Sequence, residues 1–253
     1  MRFAMLGSGS KGNATLIEAG GTRLLIDCGF TLAETEMRLA RLGVEAASLD
    51  AILVTHEHGD HLSGVGRLAR KHRIPVWMTH GTYAAWKDTQ VPHCLRFSPH
   101  QAFRIGALEV QPYPVPHDAR EPCQYRLGAG SLSLGVLSDL GHITAHVREV
   151  LADCDALLLE CNHDPVMLRD GPYPDALKRR VGGNRGHLSN QQAAQLLSPA
   201  ARRRLQHLVL THLSEANNTP ELARAAVVSA LEGDAPWLVC ADQADGLQWR
   251  ELV

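Results

Sequence analysis

The sequence has few aromatic residues, almost no net charge and no long hydrophobic run, and each shortage excludes a class of protein. Phenylalanine, tryptophan and tyrosine make up only 5% of the 253 residues, too few and too scattered to predict a platform on which bases stack. Lysine and arginine number 25 against 27 acidic residues, for a formal net charge of -2. The composition therefore does not indicate a generally basic nucleic-acid binder, and any basic patch must be argued from position.

Signals for membranes and export are also missing. No apolar run approaches the roughly 20 residues of a membrane-spanning helix, and the first residues lack the apolar core and cleavage site of a signal peptide. The six cysteines include no C-x-x-C pair, which indicates free thiols in a reducing compartment. We therefore expect a cytoplasmic protein with no membrane association.

The most informative segment present is HEHGDH at positions 56–61, directly after the apolar run AILVT at 51–55. Residues two apart at the extended end of a strand point the same way, so His56 and His58 are expected to face one cation. A solvated polar loop is the simpler interpretation of a single His-x-His pair. Four ligand-type residues in six positions favour a metal site instead.

The second half of this segment predicts a second cation. Gly59 lets the chain turn, so that Asp60 and His61 project from a different direction, as two-metal hydrolytic sites require. A zincin-like helix is a poor alternative because its two histidines lie four apart, and Gly59 interrupts that frame. A strand end followed by a loop is the predicted placement.

The pattern His-x-His-x-Asp-His resembles the signature of the metallo-β-lactamase fold superfamily. The remaining ligand types of that family follow strand-like runs, at His117, Asp139 and His212. Each one alone is an ordinary polar residue at a strand boundary, but all occur in the expected order. The resemblance implies two divalent ions, the first bound by His56, His58 and His117, the second by Asp60, His61 and His212, with Asp139 bridging both. Such ligands suit Zn and Mn, and Fe is a further alternative.

Strands and helices alternate along two comparable halves of the chain, which predicts an α/β fold. The resemblance implies a four-layer αββα sandwich formed by a single domain over residues 1–253. The predicted strands are 2–6, 14–18, 23–27, 51–55, 75–78, 124–127, 131–137, 156–160, 207–211 and 238–241, with a hairpin over 103–115. The predicted helices are 31–42, 65–72, 81–87, 143–151, 190–197 and 220–231.

A second block of chemistry combines LLLECNHD at 157–164 with GHLSNQQAA at 186–194. It resembles the phosphodiesterase branch of the superfamily, notably the tRNA 3′-processing nucleases, in which a strand-end Glu and a His before a helix pair outside the metal shell. Phosphodiester cleavage expels an alkoxide, so a protonated imidazole held by a carboxylate is valuable there. The resemblance assigns His187 as the general acid and Glu160 as its partner. An edge carboxylate and a helix-terminal histidine are the simpler interpretation.

The bacterial YycJ/WalJ group resembles the chain over essentially its full length. The shared marks are GSGSKGN at 7–13, NHD at 162–164, GNRGHLS at 183–189 and THLS at 211–214. This resemblance implies an exonuclease acting on double-stranded DNA, in which a hydroxide shared by the two metals attacks phosphorus while His187 protonates the leaving oxygen. A small-molecule phosphodiesterase or a thioesterase of the same fold is the alternative.

Further candidates surround these motifs. Asp27 is expected to hydrogen-bond a ligand imidazole, although a turn aspartate is the simpler interpretation. The Gly-rich turn after the first strand offers hydroxyl and amide groups to a phosphate, as a plain hairpin loop would also do. The candidate substrate-binding residues are Ser8, Ser10, Asn13, Asn162, His163 and Arg185.

Overall fold

The computed structural model describes residues 1–88, 90–198, 203–231 and 235–253. Its contacts divide the chain into two compact units. Unit 1 comprises Met1–Pro114, Ala119–Leu132 and Asp242–Val253, and unit 2 comprises Val115–Asp118 and Ser133–Ala241. The prediction of one domain over the whole chain stays a prediction.

The elements of both units follow one another in chain order. The strands are β1 (Arg2–Gly7), β2 (Ala14–Ala19), β3 (Thr22–Ile26), β4 (Ala51–Leu53), β5 (Val76–Thr79), β6 (Cys94–Phe97), β7 (Phe103–Ile105), β8 (Leu108–Pro114), β9 (Cys123–Ala129), β10 (Leu132–Leu137), β11 (Ala156–Glu160), β12 (His207–Thr211), β13 (Leu238–Cys240) and β14 (Leu247–Glu251). The helices are α1 (Leu32–Arg41), α2 (Gly59–Leu62), α3 (Val65–His72), α4 (His80–Ala85), α5 (Ala145–Leu151), α6 (Pro165–Asp170), α7 (Asp175–Val181), α8 (Asn190–Ala194) and α9 (Pro220–Leu231), with a 3₁₀ turn at Ala46–Ser48.

Unit 1 is built on a seven-stranded mixed sheet in the order β14-β1-β2-β3-β4-β5-β6. Strands β1 to β3 pair antiparallel, whereas β3 to β6 pair parallel. Helix α3 packs its apolar stripe, formed by Val65, Leu68 and Ala69, into the unit's core beside Ile52 of β4. The helix ends at Arg73, whose φ of 58° is left-handed. Unit 1 also contains the antiparallel ladder β7-β8-β9.

Unit 2 contains the parallel ladder β10-β11-β12-β13. Strand β11 is buried along its whole length, as its unbroken apolar run requires of a parallel strand covered on both faces. Its last residue, Glu160, pairs in register with Thr211 at the end of β12. Since parallel strands end at the same edge of a sheet, polar residues that follow them are brought together there.

Most predicted elements are confirmed, and the differences have physical reasons. The hairpin over 103–115 turns at Gly106, whose φ is 53°. Strands β6 and β14 were not predicted from the sequence. Strand β6 has exposed positions and therefore lacks an apolar run. Helices α6 and α7 were not predicted either, and α7 buries none of its residues, so it has no amphipathic pattern. Helix α8 ends at Ala194, three residues earlier than predicted.

The helices and the cysteines each correspond to an expectation from the sequence. None of the helices described is both long enough and apolar enough to cross a membrane. No disulfide joins the six cysteines, as predicted. Burial raises the pKa of the Cys28 thiol to about 11 and outweighs its hydrogen bonds, so this thiol is protonated at neutral pH.

Candidate active site

The HEHGDH segment in unit 1 is a loop through His58, as predicted, and from Gly59 it forms the helical turn α2. Strand β4 ends at Leu53, so the prediction of a strand up to residue 55 is wrong at its end. His58 precedes α2 in an extended conformation, with ψ of 149°, and its carbonyl accepts the amides of His61 and Leu62 at 3.1 and 3.0 Å. Gly59 thus starts a helical turn that sends Asp60 and His61 away from the preceding extended chain.

His56 and His58 lie side by side, as their spacing predicts. Nε2 of His56 lies 3.0 Å from Nδ1 of His58, and their rings are nearly perpendicular at 80°. Two nitrogens bound about 2.0–2.1 Å from a tetrahedral Zn²⁺ would be about 3.4 Å apart. The two imidazoles are therefore close to the spacing required of ligands to one ion.

Asp27 contacts the imidazole of a candidate ligand, as expected from the sequence. It is buried, and its Oδ2 is 2.8 Å from Nδ1 of His61. Thr55 donates its amide to Oδ1 at 2.8 Å and its hydroxyl to Oδ2 at 2.7 Å, and the same hydroxyl oxygen is 3.0 Å from Nδ1 of His56. The sequence analysis missed Thr55, because a threonine at the end of an apolar run shows no sign of its partners.

The three unit 1 residues proposed to contact phosphate have different surroundings. The Asn13 amide nitrogen lies 3.3 Å from Oδ2 of Asp60 and 3.2 Å from Nε2 of His61, so this side chain touches two candidate ligands. Ser8 is buried, and its backbone amide donates to a carbonyl at 3.1 Å. Ser10 is exposed in the turn.

Unit 2 gathers the other candidates around Asp139, which follows the parallel strand β10. Asp139 Oδ1 lies 3.9 Å from Nε2 of His117, 3.4 Å from Nδ1 of His212 and 3.3 Å from Nδ1 of His187. With Glu160, the residues Asp139, His187 and His212 offer ligand-type atoms within 4.8 Å of one another. Side chains from five separate chain segments thus converge around Asp139.

Glu160 is fully buried and is the centre of this group. Its Oε1 is 2.8 Å from Nδ1 of His187 and 3.3 Å from Nδ1 of His212. Its Oε2 accepts the backbone amides of Leu140 at 2.8 Å and Leu188 at 3.2 Å. Burial by itself raises the pKa of Glu160, but the charge of His187 and the hydrogen bonds of both histidines outweigh it and lower the pKa to about 2.

The pKa of His187 is shifted in the opposite direction. Burial lowers the pKa of His187. The charge and hydrogen bond of Glu160 and the charge of Asp139 raise it by more, so the net shift of this pKa is upward. A raised pKa keeps the imidazole protonated over more of the neutral range. The pair predicted from the sequence is therefore present as a hydrogen-bonded contact between residues 27 positions apart.

Four of the candidate ligand imidazoles are oriented through Nδ1. For His117 the partner is the carbonyl of Gly186, at 3.0 Å. For His56, His61 and His212 the partners are Thr55, Asp27 and Glu160. Metal-bound histidines commonly use one ring nitrogen in this way, which orients the other toward the ion.

Three candidate residues adopt the left-handed backbone conformation that glycine usually takes. The φ angles are 60° for Asp27, 53° for Asp139 and 54° for His212, each just after a strand. Such a conformation is unfavourable for a residue with a side chain, and it is concentrated at functional sites, where surrounding structure enforces it. The left-handed conformation turns the chain sharply at the strand end. The residue types at these three positions did not predict it.

The remaining candidates belong to unit 2. Asn162 is buried and donates its side-chain amide to the carbonyl of His212 at 3.0 Å, so it supports that turn. Arg185 is exposed in the loop before His187. His163 is buried and lines a cavity whose lining includes none of the candidate metal ligands.

Known proteins resemble this chain over about nine-tenths of its length. A family model described as a β-lactamase superfamily domain matches residues 22–213. The exodeoxyribonuclease YycJ of Bacillus anthracis is 35% identical over 236 residues, which cover 92% of this chain and 89% of the relative. The exodeoxyribonuclease WalJ of Streptococcus pneumoniae is 33% identical, over 91% of this chain and 88% of the relative.

A solved structure shows the same fold. The metallo-β-lactamase fold protein YhfI from Bacillus subtilis matches with a TM-score of 0.74 at 19% identity, over 96% of both chains. At this level of identity the likeness concerns the fold alone. It confirms the predicted α/β fold of the αββα metallo-β-lactamase type.

Proposed function

The chain belongs to the metallo-β-lactamase superfamily and is a hydrolase of that fold, and from this premise we propose that it is a metal-dependent nuclease, specifically an exonuclease acting on double-stranded DNA. Both relatives reported above are named exodeoxyribonucleases and align with about nine-tenths of the chain. The observation that carries the proposal is the His187–Glu160 contact. A histidine held protonated by a carboxylate can donate the proton that a phosphodiester leaving group needs.

The donor set fits divalent metal ions. Imidazole nitrogens and carboxylate oxygens suit Zn²⁺ and Mn²⁺, and four of the histidines have the supporting Nδ1 contacts typical of bound imidazoles. When bound, such ions would activate water and neutralise charge on the phosphate. We propose two ions per chain, with the ligands His56, His58, Asp60, His61, His117, Asp139 and His212.

The chain's own groups around these ligands have separate tasks. Asp27 and Thr55 orient His61 and His56, as their hydrogen bonds require. Glu160 holds the His187 imidazole in one orientation and stabilises its protonated form. His187 then donates a proton to the leaving oxygen of the cleaved phosphodiester, which would otherwise depart as a strongly basic alkoxide.

The test uses linear duplex DNA labelled at one 5′ or 3′ end, with Mn²⁺ or Zn²⁺ added separately to the purified protein. We expect stepwise loss from one end. Asp60→Ala is expected to abolish it and His187→Ala to slow it about 10²–10⁴-fold, the usual contribution of a general acid. His146→Ala, which removes an exposed imidazole on α5, is the matched control and should cleave at the wild-type rate.

Survival of the duplex, together with single-stranded DNA and RNA, would contradict a nuclease. If these nucleic acids survive while bis-p-nitrophenyl phosphate or a thioester is cleaved under the same conditions, the enzyme is a small-molecule hydrolase. Cleavage that persists in His187→Ala at the wild-type rate would remove this residue from the reaction.

A further inference from the structure

A surface cavity of about 550 Å³ lies in unit 2 among α6, α7 and the start of α8. Its walls include His163, Leu168, Arg169, Lys178, Arg179 and Ser189, and none of the seven proposed metal ligands. Ligand pockets commonly range from about 300 to 1,000 Å³. The cavity is therefore large enough for one small organic ligand.

His163 forms part of the cavity wall. The side chain is only 4% exposed, and its Nδ1 has no hydrogen-bond partner within the described ranges. Burial lowers the pKa of this imidazole to about 4, so it is neutral near pH 7 and can donate or accept. The neutral imidazole therefore adds an uncharged, flat surface to the wall of the cavity.

The cavity lining contains more cationic side chains than carboxylates. No ion pair involves Lys178 or Arg179 in the part of the chain that the structure describes, although Lys178 donates to a backbone carbonyl at 2.7 Å. Arg169 pairs with Asp170 at 2.7 Å and contributes less net charge. Asp175 is a carboxylate in the lining. The balance favours an anionic ligand.

The cavity is connected to the proposed general acid through backbone pairing. The Asn162 amide donates to the Leu188 carbonyl at 3.0 Å, and the Asn190 amide donates to the His163 carbonyl at 2.9 Å. The paired segments are 160–163 and 187–190. The His187–Glu160 contact lies at one end of the pair, and His163 lies at the other end beside Ser189. Ser189, which lines the cavity, is two residues from His187, a backbone span of roughly 7 Å.

We propose that this cavity binds one nucleotide of the substrate strand, with its phosphate at Lys178 and Arg179 and its base or sugar against Leu168 and the His163 imidazole. An anionic group joined to a flat, partly apolar, hydrogen-bonding group is the ligand that these walls fit. The inference rests on the proposed function, because it takes the nucleotide to be part of the nucleic acid that is cleaved.

The experiment measures binding of 2′-deoxyadenosine 5′-monophosphate to the full-length, metal-loaded protein by calorimetry. The double variant Lys178→Glu/Arg179→Glu is expected to bind at least tenfold more weakly. Arg203→Glu, a reversal of one charge at an exposed residue paired with Asp153, should bind as the wild type does.

A second measurement follows the His163 ring nitrogens by NMR as the nucleotide is added. We expect the Nδ1 resonance to shift in the wild type and much less in the double variant at the same nucleotide concentration. Equal affinity in the wild type and double variant would overturn the inference. Loss of binding in Asp60→Ala with no loss in the double variant would also overturn it, by placing the nucleotide at the metal ligands.

The outcomes separate this inference from the proposed function. If the wild type degrades duplex DNA and the double variant degrades it with the same KM, the nuclease stands and the cavity inference is wrong. If the cavity binds the nucleotide and no nucleic acid is cleaved, the nuclease is wrong, and the cavity is a nucleotide site of another kind.

Discussion

Glu160 determines much of the electrostatics of unit 2 at the scale of a single residue. It is fully buried, yet two backbone amides and two imidazoles surround its carboxylate. A buried charge is tolerated only with such compensation. Its position at the end of β11 therefore combines a structural role with the orientation of His187.

Glu160→Gln is expected to slow DNA cleavage about 10²–10⁴-fold while keeping the side chain's shape. Without the carboxylate the pKa of His187 falls, because the charge and hydrogen bond of Glu160 raise it more than the charge of Asp139 does. A general acid works below its pKa and loses activity as pH rises through it, so the alkaline decline in rate should move to lower pH. Rates measured across the pH range test this.

Glu149→Gln is the control for that variant, because Glu149 is exposed on α5. It should keep the wild-type rate and pH profile. An unchanged alkaline decline in Glu160→Gln would argue against Glu160 as the group that holds the His187 proton.

At the scale of elements, the placement of α2 depends on close backbone contact with the loop after β3. The Cys28 amide donates to the His61 carbonyl at 2.8 Å, and the Gly64 amide donates to the Cys28 carbonyl at 2.8 Å. A Cβ on Gly29 would overlap the carbonyl of Asp60. Glycine is needed there because of this approach, which holds the helical turn that carries two proposed ligands.

Gly29→Ala should displace α2, since a backbone carbonyl cannot move aside as a flexible side chain would. We expect a loss of about 1–3 kcal/mol in the free energy of unfolding, as for other overpacked sites, and at least tenfold weaker Zn²⁺ binding. Urea unfolding and zinc titration measure the two effects.

Gly59→Ala is the matched control, because a Cβ there meets no described atom within 4 Å. It lies in the same turn and should leave zinc affinity nearly unchanged. If Gly29→Ala binds zinc as the wild type does, the contact with the loop after β3 does not position the ligands.

At the scale of the whole molecule, metal binding is expected to contribute to stability as well as to activity. The proposed ligands are mostly buried, and several imidazoles and carboxylates lie close together. Ions that bind only the folded chain stabilise it by about 2.7 kcal/mol at a hundred times their Kd.

Removal of metal by EDTA should therefore lower Tm by on the order of 5–10 °C and abolish DNA cleavage. Addition of Zn²⁺ or Mn²⁺ should restore both, with two ions per chain by mass spectrometry. Asp139→Ala should bind fewer ions than the wild type. An unchanged Tm after complete metal removal would contradict this account of stability.

The sequence by itself determined the features that contiguous residues encode. The exact bounds predicted for α3, β11, β12 and α9 agree with the structure because periodic apolar residues and flanking Gly, Pro or Asp are local signals. The HEHGDH segment predicted candidate metal ligands for the same reason, since four ligand-type residues lie within six positions.

Only the tertiary structure decided which distant groups meet. The partners of His187, His117 and His61 lie 27, 69 and 34 positions away, so strand order and packing select them. The same holds for the left-handed turns at Asp27, Asp139 and His212, which surrounding contacts enforce against local preference. Local propensity cannot encode such contacts, because they depend on how the strands pair and where the intervening chain returns.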